Sequence, residues 1–299
     1  MPDTPAVAGE ELVLAPDSVA RAVESGASSL KSRPLGIFDS GFGGLTVARA
    51  VIDLLPGQDL VYFGDTGRYP YGPRDLDEVR GFAHQISRML VAEHGVGAIV
   101  VACNTASAAA LDELQADVPV PVIGVIEPGA RALVQATRNG RVGVIGTVGT
   151  IGSGAYQRAV AKACADAGRD DVVLTCAACP GFVEFVERGE TESEQVHVLA
   201  ERLLAPVVGA GVDTLLLGCT HYPYLARTIG DVMGRDVVLV SSADETAFEV
   251  RSLLLADHPG PATLGAHRWI SSGDVAHFAE LGRRLLGPEL AGAEPWSWS

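Results

Sequence analysis

No stretch of this chain is long and apolar enough to cross a bilayer. Its apolar runs, such as Ala98 to Ala102 and Leu215 to Leu217, fall far short of the about 18 residues that a spanning helix needs. Positive charge is scarce: 22 Lys and Arg against 37 Asp and Glu leave a formal net charge of -15. The summed field of such a chain repels nucleic acid and anionic membrane, so neither is expected as a partner. The first residues, MPDTPAVAGEELVLAPDS, lack the basic and continuously apolar segments of a secretory signal, and the cytoplasm is the expected location. Cysteine is sparse and odd in number, five in 299 residues. A chain of this size does not depend on disulfide staples, so reduced thiols in a reducing compartment are the simplest account.

Known cofactor signatures are missing as well. The segment DSGFGG at Asp39 to Gly44 has the look of a phosphate loop, yet it lacks both dinucleotide-fingerprint spacing and the Lys-Ser/Thr of a P-loop. It reads equally well as a tight strand-to-helix turn. Cys176 and Cys179 form a C-x-x-C pair, but no second pair or histidine cluster completes a four-ligand set, so no metal is expected. Cys164 and Cys176 are expected to be packing residues.

What the chain does contain is length and core for about two domains, with 47% hydrophobic residues. Short apolar runs alternate with helical patterns at Leu35–Phe38, Leu60–Phe63, Ala98–Ala102 and Val122–Ile126, and again at Val142–Ile145, Val172–Thr175, Thr214–Leu217 and Val237–Val240. Such alternation predicts βαβ units, and two matched sets of four predict two related α/β domains with mainly parallel sheets. The expected division is 35–128 plus 243–290 for the first domain and 129–242 for the second. Residues 1–34 then form a flexible extension, with one weakly helical stretch around Asp17 to Glu24, and 291–299 a tail with no assigned role. The segment His267 to Gly273 is expected to return to the first domain.

The two sets share one passage: GVGAIVVACNTAS at Gly95 to Ser107 and GVDTLLLGCTHYP at Gly211 to Pro223. Each reads as a buried strand, a cysteine at its tip and then a helix start, so Cys103 and Cys219 hold equivalent positions. A helix N-terminus favours the thiolate, and two thiols in matched settings suggest a facing pair of acid/base groups. Ligands of parallel sheets bind beyond the carboxyl ends of the strands. The polar residues of the chain gather there: Asp39 and Ser40, Tyr71 and Gly72, Asn104 and Thr105, Thr147, Thr220 and His221. A carboxylate at a strand end needs a partner or a proton to handle, which marks Asp39. Hydroxyls and helix-terminal N–H groups can hold a small anion without arginine.

Taken together, FDSGFGGLTV, YPYGPR, ACNTAS, GVIEPG, CPGFVEFVERG and GCTHYPYL resemble the glutamate racemases, over about Leu35 to Ala247. The resemblance implies two pseudosymmetric α/β domains with the site between them, and cofactor-independent racemisation of glutamate for peptidoglycan synthesis. Cys103 and Cys219 would exchange the α-proton from opposite faces, Asp39 assisting the first and His221 the second, and the glutamate of the CPGFVEFVERG segment, Glu187, would join them as a catalytic residue. Substrate contacts would fall on Asp39, Ser40, Tyr71, Gly72, Asn104, Thr105, Thr220 and His221, to which the strand-end reading adds Thr147. Glu184 stands where many relatives carry proline. The resemblance also implies a homodimer, and it brings DNA gyrase as a candidate partner that nothing in this sequence supports. A racemase acting on aspartate is the nearest alternative, since side-chain length is decided by pocket shape.

Overall fold

The computed structural model describes residues 33–254 and 263–298. The extension before residue 33, with the stretch Asp17 to Glu24, lies outside the described residues.

In the first lobe, β1 (Leu35–Asp39), β2 (Leu60–Gly64), β3 (Ala98–Val101) and β4 (Val122–Gly124) alternate with α1 (Leu45–Leu54), α2 (Leu76–His94) and α3 (Asn104–Asp117). After α4 (Ile126–Ala136) comes a second set: β5 (Arg141–Gly146), α5 (Val148–Gly152), α6 (Ala155–Ala167), β6 (Val173–Ala178), α7 (Phe182–Arg188), α8 (Glu194–Gly209), β7 (Thr214–Gly218), α9 (Ala226–Met233) and β8 (Val238–Ser241). The chain closes with α10 (Ser242–Leu254), β9 (His267–Ser271), α11 (Val275–Leu286) and β10 (Glu294–Pro295).

Among the described residues every strand pairing is parallel. The first sheet runs β10-β9-β2-β1-β3-β4 and the second β6-β5-β7-β8, so each set of four has the same order: second, first, third, fourth. β1 is wholly buried, and so is β7. Near-continuous apolar strands of this kind belong to sheets covered on both faces, here by separate apolar clusters on either side of each sheet. α10 packs on α1 of the first lobe and on α4, tying the lobes together.

Local signals set the helix ends. The Asp75 side chain accepts from Asp77 N–H to start α2, and Gly95 stops it with a left-handed φ of 60°, a conformation that needs no Cβ. One expected boundary moves: the strand anticipated at Val122–Ile126 ends at Gly124, and Ile126 begins α4. Pro128 falls in the first turn of α4, where a missing N–H leaves no helical bond unmade.

Register aligns the strand ends. Asp39 lies beside Gly64 in the first sheet, and Gly146 beside both Ala178 and Gly218 in the second. Six strand-end loops therefore emerge along two sheet edges that face each other.

Candidate active site

These loops enclose a cavity of about 100 Å3 whose wall includes Cys103 and Cys219 together. Both thiols are nearly withdrawn from solvent, at 5% and 6% exposure. Contact between the lobes is close at one point. A Cβ on Gly43, in the first lobe, would collide with Thr220 Oγ1 and His221 Nδ1 of the second. Thr220 Oγ1 also donates to Asp39 Oδ1 across the interface at 3.3 Å, and Thr46 Oγ1 donates to the Thr220 carbonyl at 3.3 Å.

Cys103 caps the N-terminus of α3 in an extended conformation. The expectation of a lowered thiol pKa does not hold. Burial first, and the charge of Asp39 second, push Cys103 up to about 12, against the opposing Ala106 N–H and Ser40 hydroxyl. Desolvation of a thiolate outweighs the one helix terminus that favours it. Asp39 is completely buried and stands behind the cavity wall rather than on it. Burial raises its pKa, while the His221 charge, the Gly41 and Gly44 N–H groups and Thr220 oppose the rise; the Gly41 bond measures 2.9 Å.

Cys219 does not open a helix, contrary to the sequence reading. Its carbonyl accepts from Tyr222 N–H at 3.0 Å in a turn, a 3-10 segment follows at Tyr222–Leu225, and α9 begins only at Ala226. Its proton chemistry rests on a side chain instead. His221, 2% exposed, shares the cavity wall with Cys219, and its Nε2 lies 3.1 Å from Glu187 Oε1. Burial disfavours the imidazolium, but the interactions with Cys219 and Glu187 and the nearby negative charge prevail, raising His221 to about 10. Glu187 is off the cavity wall and reaches His221 from behind.

Of the remaining predicted residues, Ser40, Tyr71, Gly72, Asn104, Thr105, Thr147 and Thr220 all line the cavity. Thr105, Thr147 and the buried Thr150 share a ring of hydroxyl bonds at 3.0, 3.1 and 2.9 Å. Gly72 packs against Thr147, and its carbonyl accepts from Gly149 N–H at 3.0 Å, a further bond between the lobes. Asn104 Nδ2 donates to Tyr156 at 2.7 Å, whereas Asn104 Oδ1 is buried with no partner among the described residues. One end of this amide is thus free for a ligand. Among the described residues no Lys or Arg lines the cavity, and Glu184 is the carboxylate on its wall.

Sequence reasoning missed several wall residues: Tyr69, Cys179 and Tyr222, as well as Tyr156 and Thr150 behind the wall. The CPGF turn could have flagged Cys179, which follows β6 as Cys103 follows β3. Tyr156 sits on α6 with no local signal. Cys164 and Cys176 lie away from the cavity, half-buried against the apolar cluster under α6. Among the described residues, no group of three or more His, Cys, Asp or Glu is arranged to hold a metal ion.

The comparisons with known proteins agree. The family model of the Asp/Glu/hydantoin racemases matches residues 45–249. The chain is 50% identical over 264 residues to a glutamate racemase of Acidothermus cellulolyticus, covering 87% of this chain and 98% of that one. It is 53% identical over 268 residues to that of Mycobacterium ulcerans, covering 88% and 95%. Among solved structures, a glutamate racemase isoform of Bacillus anthracis superimposes with a TM-score of 0.82 at 39% identity, over 90% of this chain and 98% of that one. The chain belongs to the Asp/Glu/hydantoin racemase family and, within it, to the glutamate racemases.

Proposed function

We propose that this protein interconverts L- and D-glutamate by a two-base proton transfer between Cys103 and Cys219, without a cofactor. The observation that carries the reading is that two buried thiols from equivalent strand ends share the wall of one cavity. A solved Francisella tularensis glutamate racemase, 32% identical with a TM-score of 0.80 over 90% of this chain and 98% of that one, is in complex with D-glutamate, which supports the same substrate here.

One thiolate takes the α-proton, and the C–H electron pair remains on the carbon. The other thiol donates its proton to the opposite face, so the reaction leaves one thiol and one thiolate with their roles exchanged. An amino acid's α-proton is a far weaker acid than a thiol, so the site must supply the stabilisation. The free end of the Asn104 amide and the threonine hydroxyls offer polar partners in a cavity walled by buried side chains. There, fixed dipoles act more strongly than in water. Asp39, by charge and burial, makes Cys103 a stronger base. His221, held protonated by Glu187, is the donor that restores the Cys219 thiol.

The reading extends to D-glutamate supply for peptidoglycan synthesis, cytoplasmic location and a homodimer, all supported by family resemblance. No helix among the described residues is long and apolar enough to cross a membrane. The two sheets support the division into 35–128 plus 243–290 and 129–242.

The test is proton NMR of L-glutamate and, separately, L-aspartate in D2O with the purified protein and no added cofactor, with optical rotation followed in parallel. Loss of the glutamate α-proton signal together with racemisation is expected. Exchange of aspartate alone would move the substrate to the shorter acid, and no exchange with either would end the two-base reading.

A further inference from the structure

The C-terminal tail, uninterpreted from sequence, is tied to the wall of the cavity. β10 adds to the edge of β9, and Trp296 N–H continues the ladder by donating to the Ser271 carbonyl at 2.8 Å. The chain then brings Trp298 to Arg68, whose guanidinium is 4.1 Å from the Trp298 ring and 4.1 Å from the Phe82 ring. Phe82 in turn packs on Tyr71, with ring centroids 5.5 Å apart. An unbroken stack of Trp298, Arg68, Phe82 and Tyr71 therefore runs from the tail to the cavity wall.

A second path joins the same two ends through Asp65, which is completely buried. Its Oδ1 accepts from Ser272 Oγ at 2.7 Å and from Trp298 Nε1 at 3.3 Å. Its Oδ2 accepts from Arg68 Nε at 2.6 Å and from the Tyr71 hydroxyl. Four donors fill the lone-pair sites of one carboxylate, and one of them comes from the tail. The Tyr71 hydroxyl is thereby committed to the protein, so Tyr71 serves the cavity as a fixed wall.

We propose that residues 296–298 are a positioning strap for the substrate loop at residues 69–73: Trp298 clamps Arg68 and Asp65, and these fix Tyr71 and Gly72 against the bound amino acid. The inference rests on the glutamate reading of this cavity. Trp298 touches no reacting atom, so its effect passes through the loop. A loop that holds substrate and transition state equally well governs KM rather than kcat.

The test compares wild type, Trp298→Ala and Trp298→Phe in the full chain, measuring KM and kcat for glutamate together with Tm. Trp298→Ala is expected to raise KM about fivefold with kcat within about twofold. Trp298→Phe keeps a ring over Arg68 and is expected to recover most of the loss. An unchanged KM in Trp298→Ala overturns the proposal. So does a fall in Tm and kcat with KM unchanged, which is the outcome for a tail that merely holds the lobe together. A wild-type protein that does not exchange the glutamate α-proton overturns the glutamate reading first, and the strap with it.

Discussion

Cys103 and Cys219 follow the third strand of two sheets with the same strand order, yet their surroundings handle protons by different means. Cys103 caps a 14-residue helix and has a buried carboxylate, Asp39, as its charged neighbour. Cys219 sits in a turn before a 3-10 segment and has an imidazole backed by a carboxylate. Topology fixes where each thiol stands. The residues beside it decide whether it is governed by negative charge or by a proton donor. Under the proposed two-base reaction each thiol is base in one direction and acid in the other, and the two surroundings would meet that pair of roles by different means.

The halves are also coupled. Thr220 of the second lobe donates to Asp39 of the first, and the His221 charge opposes the rise in the Asp39 pKa. Gly43 is what allows this approach, since the space of its Cβ is already filled by Thr220 and His221.

The largest effect is expected from removing either thiol. Cys103→Ser and Cys219→Ser should each lower racemisation by about 1,000-fold or more with the far-UV circular dichroism unchanged. Substantial activity in one of them would make the two halves inequivalent in a way the two-base reading does not allow. Next is the coupling between them. Gly43→Ala forces the loops apart and should cost about 100-fold in kcat/KM, the scale of a displacement near 1 Å at reacting groups; a variant of wild-type activity would show that the halves work independently.

Glu187→Gln isolates the second half. Loss of one charge-assisted bond to His221 should slow turnover about tenfold, and it should move the imidazole titration, followed by NMR, below its value of about 10. The sign of the associated stability follows from that raised value. His221 contributes most below its ordinary 6.5, and the contribution is lost as pH rises through about 10. The Tm difference between wild type and His221→Asn should therefore shrink over that window, and a difference that grows with pH would contradict a protonated His221. The smallest effect is expected at Cys164, which lies away from the cavity: Cys164→Ser should leave turnover within about twofold, and a large loss would mean that the reactive thiols are misassigned.

Much of the fold was legible because buried parallel strands leave short apolar runs and because the chain repeats its pattern. The runs at Leu35, Leu60, Ala98, Val142 and Thr214 all became strands within a residue or two. The end of β4 was not legible, because Val125 and Ile126 are as apolar as the strand they follow and only Pro128 marks the helix. In the site, residues beside the motif cysteines could be named in advance. Tyr156 and Thr150 could not, because each backs a wall residue from a helix that carries no local mark of it.

By itself the sequence determined the strand-and-helix alternation, the two cysteine tips and the polar residues at the strand ends, since backbone periodicity and turn chemistry act over a few residues. Only the tertiary structure decided that Cys103 is pushed up rather than down, that Asp39 stands behind the wall, that Glu187 supports His221, and that Trp298 reaches Asp65 and Arg68. These are consequences of burial and of contacts between residues far apart in the chain. Desolvation and through-space charge depend on what surrounds a group, which local sequence does not encode.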